Sequence, residues 1–169
     1  MKNLRSALAI AVLALLSPGV LLAHPHFQKT ISAKLPSGTE VTLTYGTTPA
    51  NEMRATEAKV GSFLTPRRPM LKLSAELKVG ALTLPAGDYT IGVVKNSDKD
   101  WTMALYPGAV ERGSTPDPAK VQKLDSAYST AEGKAEHMLI DITPGHGKFE
   151  GKAVLTLHFG TMFLSAALS

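Results

Sequence analysis

The sequence predicts an all-β fold: a single antiparallel β-sandwich of about eight strands, with room for one short helix. Three observations predict it. Apolar residues recur at every second position over most of the chain beyond residue 24, the pattern of strands buried on one face. Two turns of the same chemistry, Leu35-Pro36-Ser37-Gly38 and Leu84-Pro85-Ala86-Gly87, separate alternating runs. In each, proline presets φ at the second position and glycine accepts a positive φ at the fourth. No segment suggests a second domain, and residues 24–169 have the length of one ordinary domain.

The first 23 residues stand apart. Lys2 and Arg5 form a short basic start, Ala7 to Leu16 is an uncharged apolar block, Ser17-Pro18-Gly19 breaks it, and Ala23 offers a small residue for cleavage. These are the parts of an export signal. A membrane anchor needs about 20 apolar residues in one helix; Ala7 to Ala23 is shorter and contains Pro18. The expected mature chain therefore begins at His24, in the periplasm or outside the cell, with no membrane span. The sequence has no cysteine, which excludes lipid attachment at one and leaves an exported domain to be held by its core.

The strands follow in order. "TISAKL" and "EVTLTYGT" flank the first turn, with Val41, Leu43 and Tyr45 on one face. Thr48 to Lys59 breaks the alternation and predicts the short helix, with Thr48 as its cap and Pro49 in its first turn. "MLKLSAEL" places Leu71, Leu73, Ala75 and Leu77 on one face. "DYTIGVVK" and "DWTMALY" predict a hairpin across Asn96 to Asp100, with Trp101, Met103 and Leu105 reaching the core. Glu111 to Lys120 is a polar, proline-rich loop, after which "VQKLDSAYST", "EHMLIDIT", "KAVLTLHFG" and "TMFLSAAL" supply the remaining strands.

Leu82 to Gly108, "LTLPAGDYTIGVVKNSDKDWTMALYPG", resembles the central signature of a bacterial family known as domain of unknown function 2911. Members share a Pro-Ala-Gly-x-Tyr turn, a strand, a polar hairpin loop and a strand led by Trp. The layout from His137 to Leu168 is also similar, with Phe159-Gly160 where a Trp is commoner in the family. The resemblance covers the second half of the chain; upstream, the family's usual Trp-Arg-Thr-Gly stretch is absent. It implies an exported, mostly β domain and carries no catalytic residues with it.

Several chemistries are excluded. Loss of Lys2 and Arg5 with the signal lowers the formal net charge from +4 to +2. Arg67-Arg68 is the only adjacent basic pair in what remains, so the clustered footprint of nucleic-acid binding is missing; the pair reads as a solvated loop between Pro66 and Pro69. There is no Gly-x-Ser-x-Gly and no cysteine nucleophile. Gly145 to Gly151 joins two strands with the wrong spacing for a phosphate loop. Asn96 to Trp101 offers alternate oxygen ligands, but Trp101 and Pro107 replace the Gly and Glu of a calcium loop, so an ordinary hairpin turn is the better reading.

The histidines remain. As a first residue, His24 would chelate a metal through its α-amine and ring, and this resembles the copper brace of lytic polysaccharide monooxygenases and some periplasmic copper carriers. His26 stands third, but Pro25 lacks the amide proton that an amino-terminal third-position copper motif needs. If the apolar faces of "HMLIDI" and "AVLTLHF" match across a hairpin, His158 falls beside or diagonal to His137 and Asp141 on the outer face. Imidazoles with a carboxylate suit copper or zinc, although solvated polar residues are the ordinary content of an outer face. The candidate metal set is therefore His24, His26, His137, Asp141 and His158, with copper as the candidate cofactor and no catalytic residues. The leading expectation is an exported, non-enzymatic binding or envelope-associated domain of unknown ligand or partner. A periplasmic copper-binding protein using His24 is the alternative, and a metal-dependent enzyme the third reading.

Overall fold

A computed structural model describes residues 27–169; the expected signal, with His24 and His26, lies outside them. The described chain runs through β1 (Gln28–Lys34), β2 (Glu40–Gly46), helix α1 (Glu52–Thr56), β3 (Phe63–Leu64), β4 (Met70–Leu73), β5 (Leu77–Val79), β6 (Leu82–Leu84), β7 (Gly87–Ser97), β8 (Asp100–Pro107), β9 (Gln122–Lys123), β10 (Ser126–Pro144) and β11 (Ala153–Leu168). All strand pairs within its sheets are antiparallel. The fold is all-β, with a sandwich-like arrangement.

One layer is a seven-stranded sheet in the order β1-β2-β4-β7-β8-β9, with β3 also paired to β7. The other is the long β10–β11 ribbon. Lys78 and Ser169 exchange backbone hydrogen bonds of 3.2 and 2.9 Å, so the small β5–β6 hairpin continues the ribbon's layer. The two layers share one core. Leu43, Leu71, Ile91, Met103 and Leu105 enter it from the sheet, Met138, Ile140, Leu155 and Leu164 from the ribbon, and Leu77 and Leu84 from the small hairpin. Each such side chain contributes about 1.5–3 kcal/mol by leaving water, which lets a chain without cysteines hold together.

The period-two reading places most of these residues correctly. Val41, Leu43 and Tyr45 point inward, as do Trp101, Met103 and Leu105, and Ala153, Leu155, Leu157 and Phe159. Three details differ. Among the described residues there are eleven strands rather than about eight, because the extended runs break into short pieces. Conversely, "SAYST" and "EHMLIDIT" join in one 19-residue strand, and β11 runs unbroken through Gly160. Ala75 is exposed, because the chain turns at Ser74–Glu76 between β4 and β5. The helix starts three residues later than its sequence cap suggested. Asn51 is the N-cap, and its side chain accepts from Arg54 N–H at 3.3 Å. Thr48 cannot start the helix because Thr48 and Ala50 pair with β10: Met138 N–H donates to Thr48 O, and Ala50 N–H to Glu136 O. No described helix is long and apolar enough to cross a membrane.

Candidate functional site

Two irregularities open a cavity between the layers. The first lies in the sheet, where β3 and β4 both pair with β7. Between them five residues, Thr65 to Pro69, face only Ile91 and Gly92. The excess is thrown outward as a bulge whose tip is Arg67-Arg68. Its ends are tied down: Thr65 Oγ1 donates to Ile91 O at 2.8 Å, and Ile91 N–H donates to Pro69 O at 2.8 Å. At the tip, Arg67 has φ 56° and Arg68 φ 48°. A side chain in this left-handed region costs about 1–2 kcal/mol per residue, so the surrounding bonds hold the two arginines in place. Gly92 beneath the bulge is required by close approach, since a Cβ there would strike the Phe63 ring and Leu64 O.

The second irregularity lies in the ribbon. Thr130 pairs with Met162, Ala135 with Gly160 and Leu139 with His158, so β10 carries extra residues in two places against a nearly regular β11. Glu136 to Met138 swing away from β11 and pair instead with Thr48–Ala50. This brings the segment ahead of α1, and α1 itself, over the gap between ribbon and sheet.

The helix is fastened at both ends. At its start, Glu52 Oε1 accepts from Thr161 Oγ1 at 2.8 Å and from the Thr161 backbone N–H. Lys134 Nζ stands 3.7 Å from the other carboxylate oxygen. These donors, the Thr161 N–H foremost, hold the Glu52 carboxyl below its ordinary range. At the helix end, the buried Lys95 of β7 sends its ammonium to Thr56 O (2.6 Å) and Ala58 O (3.0 Å). The ammonium also meets Asp98 at 2.7 Å and lies 5.8 Å from the Trp101 ring centre. A lysine is rarely this buried without such partners. Here it satisfies carbonyls that a helix end leaves without intrahelical donors.

The cavity is a cleft open to solvent and measures about 610 Å³, within the ~300–1,000 Å³ range of small-molecule sites. Its buried lining is apolar: Ala55, Val93, Leu157, Phe159 and Met162, with half-buried Leu64 and Pro66 beside them. Its exposed rim carries Pro49, Asn51, Arg54 and Arg67, with Thr48 and Thr65 just inside. A smaller hollow of about 290 Å³ lies on the other side of Arg67, walled by Phe27, Tyr45, Arg68 and Met70 among others. Arg68 Nη1 there lies 3.4 Å from Val110 O.

The sequence-predicted metal residues fall elsewhere. His137, Asp141 and His158 lie on the ribbon, with Leu139 opposite His158 and Thr156 opposite Asp141. His158 packs edge-on to Phe163 at 5.7 Å, and Asp141 accepts from the Ile142 N–H. None of the three lines the cavity. Among the described residues, no group of three or more His, Cys, Asp or Glu side chains is placed to hold a metal ion. His24 and His26 lie outside those residues. The Asn96–Asp100 loop is a hairpin turn, its amide shared with Asp100 (3.0 Å) and Thr102 (2.7 Å). Gly145–Gly151 joins two strands through a single 3₁₀ turn.

Sequence reasoning missed the cavity. Its lining comes from four separate segments, and the apolar members look like ordinary core residues in a linear reading. The usable signal was Pro66-Arg67-Arg68-Pro69, two large cations confined between prolines inside an otherwise strand-forming run. No protein-family model, curated protein or solved structure matches the chain.

Proposed function

We propose that the chain is an exported, non-enzymatic binding domain whose ligand sits in the cavity between the two layers. The observation that carries this reading is the pairing of an apolar, buried floor with a polar rim in a space of small-molecule size. The lining holds no His, Asp, Glu, Cys, Lys or Tyr among the described residues, so the cavity offers no evident general acid or base. That favours holding a ligand over transforming one. Export rests on the basic start, apolar block and small-residue exit of residues 1–23. Kinship to the family that Leu82–Gly108 resembles fits the same reading.

The test uses N-phenyl-1-naphthylamine, a neutral apolar dye that fluoresces out of water. The chain should bind it saturably and release it to octan-1-ol. Met162→Trp, which sets an indole into the cavity, should abolish binding while circular dichroism stays unchanged. Dye binding that survives Met162→Trp would place the site elsewhere. Intact mass of the exported protein should show a species beginning at His24. Cu(II) binding that requires the free amine of that residue would favour a copper carrier instead.

A further inference from the structure

We propose that the chain associates with a second copy of itself through the open edge of β1, the two strands pairing antiparallel about a twofold axis at Ile31. The phase of the β1–β2 ladder identifies the free backbone groups. Thr47 N–H donates to Phe27 O and Leu35 N–H to Thr39 O, both at 2.8 Å, and the register between them is unbroken. Hydrogen-bonded pairs alternate along an antiparallel ladder, so Phe27, Lys29, Ile31, Ala33 and Leu35 bond to the β2 side. The N–H and C=O groups of Gln28, Thr30, Ser32 and Lys34 therefore point away from the sheet, where no described residue pairs with them. Such a row is a template for another strand, and folds usually blunt it with proline, a bulge or a short edge. β1 has no proline and no bulge over seven residues. At the sheet's other end, β9 is two residues long.

The edge is complementary to itself. With Ile31 facing Ile31 of the second copy, Thr30 pairs with Ser32 and Gln28 with Lys34, so every outward-facing residue of both strands is used. Sliding the pairing by two residues either way leaves one outward residue of each strand without a partner inside β1. No like charges stand opposite one another, since Lys29 meets Ala33 and Lys34 meets Gln28. On the outer face, the Thr30 and Ser32 hydroxyls already lie 3.3 and 3.4 Å from those of Thr44 and Thr42. The pairing extends that hydroxyl row into the second copy, a favourable cross-strand combination. On the inner face, Ile31, which packs against the core, meets its counterpart. Phe27, 61% exposed, falls opposite Leu35 of the second copy and gains an apolar neighbour there. A patch that pairs with its own symmetry mate closes as a dimer rather than growing into a fibre. No β1 residue lines the cavity, so the association is independent of the ligand reading.

Sedimentation velocity on the chain beginning at His24 reads the association. An edge contact of this length is small, so the dimer should be weak, with a dissociation constant on the order of 10–100 µM. Ser32→Pro deletes an outward N–H and sets a ring into the new ladder, and should weaken the dimer roughly tenfold or more. Within one copy that N–H has no described partner, so circular dichroism should stay unchanged. The chain has no cysteine, so single cysteines report the register. Opposed residues of a non-hydrogen-bonded pair have Cα atoms about 4.5 Å apart, within the roughly 4.4–6.8 Å reach of a disulfide. Diamide should therefore link Ile31→Cys into a covalent dimer far faster than Gln28→Cys, whose counterpart lies at the other end of the paired strands. A chain that stays monomeric up to about 1 mM, or that cross-links equally fast from both positions, would overturn the proposal.

Discussion

Glu52 and Thr161, 109 residues apart in the chain, are joined by two hydrogen bonds to one carboxylate oxygen, from the Thr161 hydroxyl and backbone N–H. This link docks the start of α1 on β11 and so sets one wall of the cavity. Because the folded chain holds the Glu52 carboxyl below its ordinary range, the folded state binds fewer protons there than the unfolded state. The contribution is complete above the unfolded pKa, ~4.3, and is lost as pH falls through the lower folded value. Thermal melts between pH 7 and pH 3 should therefore show a steeper acid-side loss for the native chain than for Glu52→Gln. Parallel curves would mean that the carboxylate charge adds nothing.

Gly160 should tolerate no side chain. Its φ is +63°, and a Cβ would collide with the Glu52 carboxylate. Gly160→Ala combines left-handed strain with displacement of the Glu52 link, for a loss of about 2–4 kcal/mol in urea unfolding. It should also weaken dye binding, because the helix wall shifts. An alanine variant as stable as the native chain would show that Glu52 is not held there.

Lys95→Met keeps the length of the side chain and deletes its ammonium. Two carbonyls at the end of α1 then lose their donor in a part-buried setting, at a cost of about 1–3 kcal/mol. The exposed Asp98 returns to water and adds little. A change under about 0.5 kcal/mol, the size of an ordinary surface substitution, would mean that the lysine's burial is incidental.

Trp101 tests the core itself. The residue is 3% exposed in the core formed by both layers, so Trp101→Ala should cost about 3–5 kcal/mol. A loss within error would contradict the shared core.

The periodicity of β2, β8 and β11 made the sheets legible, because a strand with one buried face writes its orientation into every second residue. Trp101, Met103 and Leu105 could be placed inside from spacing alone. The cavity could not. It depends on where register fails, at Thr65–Pro69 and at Glu136–Met138, and a bulge is fixed by pairing partners distant in sequence. The helix start shows the same limit: Thr48 is a good cap by type, but its carbonyl is taken by Met138, 90 residues on. Matching apolar faces put His158 beside or diagonal to His137 and Asp141; Leu139 stands opposite His158, which leaves Asp141 on the diagonal, while His137 bridges to Pro49 where β10 leaves β11, a departure that the apolar pattern does not record.

The inter-layer cavity is the proposed ligand site, and amide chemical-shift mapping tests that most directly. On titration with octan-1-ol, a neutral, largely apolar probe, shifts should cluster at Thr48–Ala55, Leu64–Arg67 and Leu157–Met162, with Val93 joining them from β7. Shifts centred on the outer face of the ribbon, or confined to the smaller hollow around Phe27 and Met70, would contradict it.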